Sequence, residues 1–251
     1  MKPDRPQQPG AAARPPQRPT TPPLALGDGS LEALKWLALV LMTGDHVNKY
    51  LLDDAYPVLF ALGRIASPIF CFVLAFNLAR PHTLERGVYV RTITRLSLFA
   101  LIASVPFIEL SSVKQGYIFF GWWPLNILAT LTVATTCIYF LDRGRKLDTF
   151  VFVFAFIIGG AIGEFWWPAI LLCISTWLYY RRPSWTWLIL MIVSTAAFVI
   201  INQNFWALVA LPIIFGAHFL KLKVSRTKLF FYVFYPAHLA VIWAITQIMS
   251  S

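Results

Sequence analysis

Residues 34–52 read LKWLALVLMTGDHVNKYLL, an apolar run long enough to cross a bilayer that nonetheless carries Asp45 and His46 inside it. Ionisable groups are costly in lipid, so such a pair marks a functional site in the first instance. The rest of the chain fits that setting. Of its 251 residues 58% are hydrophobic and 13% charged, and apolar stretches of about 17 to 25 residues recur along it. This is the composition of an all-α, polytopic transmembrane helical bundle. A membrane β-barrel shows short alternating segments instead.

Nine candidate spans follow, at 31–52, 57–79, 88–110, 122–141, 147–163, 165–180, 185–201, 205–220 and 229–248. Basic residues gather before the first span (Lys2, Arg5, Arg14, Arg18) and after each even one. Those groups are Arg80, Arg86, Arg91 and Arg95; Arg143, Arg145 and Lys146; Arg181 and Arg182; and Lys221, Lys223, Arg226 and Lys228. Only Lys35, Lys49, Arg64 and Lys114 fall elsewhere. Basic loops stay in the cytoplasm, so the N-terminus is expected inside and the C-terminus outside. The net charge of +10 is then a topology signal answered by anionic headgroups of the lipid bilayer, and no nucleic acid partner is expected. Residues 1–30, rich in Pro, Gln and Arg, lack the apolar surface to fold and read as a disordered cytoplasmic tail ahead of a transmembrane domain at 31–251. No short apolar core with a cleavage site marks the tail as a signal peptide.

Depth and helical phase pick out the polar candidates. At 1.5 Å per residue Asp45 and His46 lie roughly 20 Å from the inner end of the first span, and Arg64 returns to a similar level on the second. Lys35, Met42, His46 and Lys49 share a helix face, while Asp45 points about a quarter-turn away. This predicts that His46 faces a cavity and Asp45 pairs with Arg64. Lys35 and Lys49 are expected to snorkel to opposite headgroup layers. Glu109, Asn126 and Glu164 fall near outer span ends, and Asn77 lies near an inner one, on the face opposite Arg64. On the last span Tyr235 neighbours His238, which can instead bond a carbonyl freed by Pro236. Cys71, Cys137 and Cys173 sit in apolar runs without metal-ligand spacing and read as buried small hydrophobes.

Several segments taken in order resemble one family. They are Ala38-Leu39-Val40-Leu41-Met42-Thr43-Gly44-Asp45-His46, Gly63-Arg64-Ile65-Ala66-Ser67-Pro68-Ile69-Phe70, Asn77-Leu78-Ala79-Arg80, Leu125-Asn126-Ile127-Leu128 and Phe234-Tyr235-Pro236-Ala237-His238-Leu239. Together they are similar to the signature of the TraX family of conjugative pilin acetylation proteins, over roughly Ser30 to Ala244. The resemblance implies a multi-pass protein of the bacterial inner membrane that N-acetylates the conjugative pilin subunit, with acetyl-CoA as donor and His46 in the central role. One segment departs from the family pattern: Phe165-Trp166-Trp167-Pro168-Ala169 stands where relatives carry a Tyr-Gly-x-x-Gly-like stretch.

Acetyl transfer to an amine needs a proton acceptor and donors for the carbonyl oxygen. His46 can act as base with His238 assisting, Arg64 or Asn126 can stabilise charge, and Asp45 can set the histidine tautomer or hold Arg64. Asn77, Asn126 and Tyr235 are the substrate-binding candidates. With no glycine-rich loop for the donor's phosphates, Arg80, Arg86 and Arg91 are the candidates to face them. Two other classes share these residues: a non-catalytic pilin chaperone or assembly factor, and a proton-coupled transporter. Uninterrupted helices without an inverted repeat weigh against the last.

Overall fold

The computed structural model describes residues 25–115, 122–220, 222–227 and 229–250. Among these the regular structure is helical, with one isolated bridge between Leu125 and Gly163. The helices are α1 (Asp28–Leu51), α2 (Pro57–Gly63), α3 (Ala66–Leu78), α4 (Val88–Gln115), α5 (Ile127–Arg143), α6 (Lys146–Ile162), α7 (Trp166–Arg181), α8 (Trp185–Ala196), α9 (Phe198–Asn202), α10 (Ala210–Ala217) and α11 (Phe230–Ser250). A 3-10 turn at Trp206–Val209 leads into α10. Four stretches are long and apolar enough to cross a membrane: Pro57–Leu78, Val88–Ser111, Trp185–Asn202 and Phe230–Met249. The expected tail, up to residue 24, lies outside the described residues.

Local chemistry explains the boundaries. Asn126 caps α5 by accepting the Leu128 N–H at 3.1 Å, and Gly144, at φ 65°, ends that helix in the left-handed conformation glycine tolerates. The second candidate span is broken at Arg64 because Pro68 cannot donate to the carbonyl four residues back and its ring crowds it. Arg64 therefore sits at a kink.

Helix α3 is the centre of the bundle. It packs against α1, α5, α7 and α10, and Ile69, Cys71, Phe72 and Ala75 on it are fully buried. Cys71, Cys137 and Cys173 are free and buried, and no cluster of metal-ligating side chains occurs among the described residues. Counting α2 with α3, α8 with α9 and the 3-10 turn with α10, successive rods reverse direction between two ends. One end is basic and cross-linked by polar contacts: Arg80 pairs with Asp28, Arg181 with Asp142 at 2.7 Å, and Glu32 accepts from the Thr227 N–H at 3.0 Å. The Arg80 guanidinium holds the Asp28 carboxyl below its ordinary range. At the other end Asn48 accepts the Tyr56 N–H at 2.9 Å, and the α6–α7 turn is joined to Leu125.

Candidate functional site

Helix α1 presents Asp45 and His46 to two different neighbours. Asp45 forms an ion pair with Arg64 at the α2–α3 kink, with both side chains largely buried. Gly63 makes the approach possible: a β-carbon built there would overlap Asp45. His46 turns instead to α11, where its Nδ1 lies 2.7 Å from His238 Nε2 and the two ring planes differ by 2°.

The hydrogen-bond chain assigns the tautomers. The Phe234 carbonyl only accepts, so His238 Nδ1, 3.0 Å away, carries the proton. His238 Nε2 is then an acceptor and His46 donates to it from Nδ1. Neutral His46 is left with its lone pair on Nε2, the arrangement a general base needs. Asp45, committed to Arg64, does not set the histidine tautomer; His238 does.

A cavity of about 60 Å³ opens among these groups, lined by Asp45, His46, Lys49, Tyr50, Gly63, Arg64, Ser67, Glu164 and Tyr235 together with apolar residues. Two buried polar atoms on its wall lack hydrogen-bond partners: Asp45 Oδ1, an acceptor, and the Ser67 hydroxyl. Such atoms are rare in a folded interior and invite a ligand or water.

Glu164, expected near an outer span end, and Lys49, expected on the His46 face but snorkelling to a headgroup layer, both line this cavity. Glu164 lies in the turn between α6 and α7, where its N–H donates to Leu125 O at 2.7 Å and its carbonyl accepts from Thr130 Oγ1 at 2.6 Å. The following residues, Phe165 and Trp166, hold φ of 63° and 46°, a left-handed conformation that costs a non-glycine residue of order 1–3 kcal/mol. Lys49 lines the cavity rather than reaching a headgroup layer. The shared face with His46 read from the helical phase holds, and the expected snorkelling does not.

Other candidates lie elsewhere. Asn126 is spent on structure: besides capping α5 it donates from Nδ2 to Ala100 O at 2.9 Å and to Ser104 Oγ at 3.2 Å. Asn77 donates back to Val73 O at 2.8 Å within α3. Arg80 is bound by Asp28 and lies over the Phe76 ring, while Arg86 and Arg91 are exposed around the start of α4. Lys35 pairs with Glu32 and lies over Phe231. At the cavity's end of the bundle Trp123 stacks on Trp166, and Trp167 Nε1 donates to Phe156 O at 3.1 Å.

No curated protein and no solved structure matches the chain. A family model does, that of the TraX protein, over residues 30–246. That match takes in α1 through all but the last turn of α11 and holds the Asp45–Arg64 pair, the His46–His238 pair and Glu164. The chain belongs to the TraX family.

Proposed function

We propose that the protein is a multi-pass inner-membrane acetyltransferase that acetylates the N-terminal amine of conjugative pilin, with acetyl-CoA as donor and His46 as general base. The family is linked to the processing of conjugative pilin, and the four long apolar helices suit a membrane protein. The carrying observation is the His46–His238–Phe234 chain, which supports a lone pair on His46 Nε2. The donor supplies an activated thioester carbonyl; the amine nitrogen forms the C–N bond as the C–S bond breaks, and its proton must leave. His46 Nε2 takes that proton and passes it to the departing sulfur, while His238 and the Phe234 carbonyl stabilise the charge in between. Ser67 and Arg64 offer donors to the carbonyl oxygen. Asp45 Oδ1 can accept the amine's second N–H.

The basic end of the bundle faces the cytoplasm in this reading, and the His46 cavity belongs to the outer half. Of the arginines suggested for the donor's phosphates, Arg80 is already bound to Asp28, which leaves Arg86 and Arg91 for that task. The competing reading, a non-catalytic chaperone, draws on the way the same contacts tie α1 to α2 and α11. Mass spectrometry of the pilin N-terminus in cells carrying His46→Ala at normal abundance tests the two. Loss of the acetyl group supports the enzyme. Full acetylation by stable His46→Ala protein overturns it.

A further inference from the structure

A second cavity lies at the opposite, basic end, where α3, α5 and α7 finish. Its volume is about 490 Å³ and its wall includes Pro81, Asp142, Trp177, Tyr180, Arg181 and Arg182. This is the size of a small-ligand pocket. The wall is rigid where its charge lies. Arg181 Nη2 donates to Asp142 Oδ1 at 2.7 Å, and the Arg181 guanidinium carbon sits 5.5 Å from the Trp177 ring centre. Asp142 is itself fixed, since its second oxygen accepts from the Tyr89 hydroxyl at 3.0 Å, and that hydroxyl accepts from Trp177 Nε1 at 3.1 Å.

Both oxygens of Asp142 are thus engaged, one by Arg181 and the other by the Tyr89 hydroxyl. Among the described residues no carboxylate pairs with Arg182. Tyr180 lines the same wall, and its hydroxyl is buried without a hydrogen-bond partner. A helix C-terminus favours a cation, which accounts for one arginine at the end of α7. It does not account for a second arginine together with an unsatisfied buried hydroxyl.

We infer that this cavity binds a phosphate group, held by Arg181, Arg182 and the Tyr180 hydroxyl. Guanidinium forks match phosphate oxygens in geometry and charge, and the hydroxyl adds a neutral donor. The phosphate can belong to an anionic lipid headgroup reaching the cavity from the membrane surface or to a soluble nucleotide. This inference is independent of the acetyl-transfer reading and stands or falls without it.

Native mass spectrometry of the full chain in detergent, titrated separately with phosphatidylglycerol, phosphatidylcholine and ADP, tests it. Phosphatidylglycerol retained in preference to phosphatidylcholine identifies the lipid source; ADP retained identifies the soluble one. In either case Arg182→Ala should weaken retention about tenfold or more, the loss expected of a charge-assisted hydrogen bond. Tyr180→Phe, which keeps the ring packing, should weaken it by a smaller factor. Should Arg182→Ala fold poorly, Arg182→Lys and Tyr180→Phe carry the test. Absence of selective retention of either probe, or retention unchanged in the folded variants, overturns the proposal.

Discussion

Gly63 lies flat against Asp45: a β-carbon on the glycine would occupy the space of the aspartate side chain. Gly63→Ala must push α2 off α1 or turn Asp45 away from Arg64. Overpacking of this kind costs about 1–3 kcal/mol. Thermal melting of the detergent-solubilised variant should show a clear fall in midpoint. An unchanged midpoint would mean that the kink at Arg64 absorbs the methyl group.

The Asp45–Arg64 pair predicts an asymmetry between neighbouring residues on α1. Asp45→Asn leaves Arg64 without its counter-charge in a largely buried position, for which about 3–5 kcal/mol is the ordinary penalty. His46→Gln removes no charge partner. Membrane abundance should therefore fall further for Asp45→Asn than for His46→Gln, and Asp45→Asn combined with Arg64→Gln should recover part of the loss. Equal abundance across all three would show that the pair contributes little.

His238 should matter less than His46 to the rate, because it acts through its neighbour. Removing the base costs about 10²–10⁴ in rate. Removing His238 leaves the His46 ring in place but takes away the acceptor 2.7 Å from its Nδ1, so His46→Ala should be the slower of the two variants in a single-turnover acetylation assay. Equal rates for His46→Ala and His238→Ala would make the two rings one indivisible unit.

What could be read from the residues alone was whatever physics forces locally. An aspartate inside an apolar run needs a cation at its depth, and Arg64 was the one available on the next span. Pro68 carries the signal for the break at Arg64, which the reading of 57–79 as one uninterrupted span passes over. By contrast, the inward turn of Lys49 depends on which helices enclose it, since a lysine near a helix end can equally follow the membrane surface. Asn126 precedes an apolar run and carries the ordinary cap signal, and capping and helix packing, rather than the expected substrate contact, account for its bonds. The placement of Glu164 rests on two non-glycine residues in left-handed conformation, for which Phe165-Trp166 gives no local cue.

Glu164 supplies the last prediction. Its carboxylate lines the cavity beside Lys49, Arg64 and Asp45, and the loop carrying it is fixed through Leu125 and Thr130. A carboxylate held at the wall of an amine-acetylating site is suited to receive the acceptor as an ammonium, which gives up one proton to solvent before the amine attacks and His46 takes the second. Glu164→Gln keeps the shape and removes the charge. If Glu164 binds the acceptor, KM for an amine-bearing pilin peptide should rise by about 10-fold to 100-fold, the scale of one charge-assisted hydrogen bond, while kcat at saturation changes little. If Glu164 only balances Lys49, the variant should lose thermal stability with KM unchanged. Measuring KM, kcat and melting midpoint on one preparation separates these outcomes, and an unaltered KM removes Glu164 from acceptor recognition.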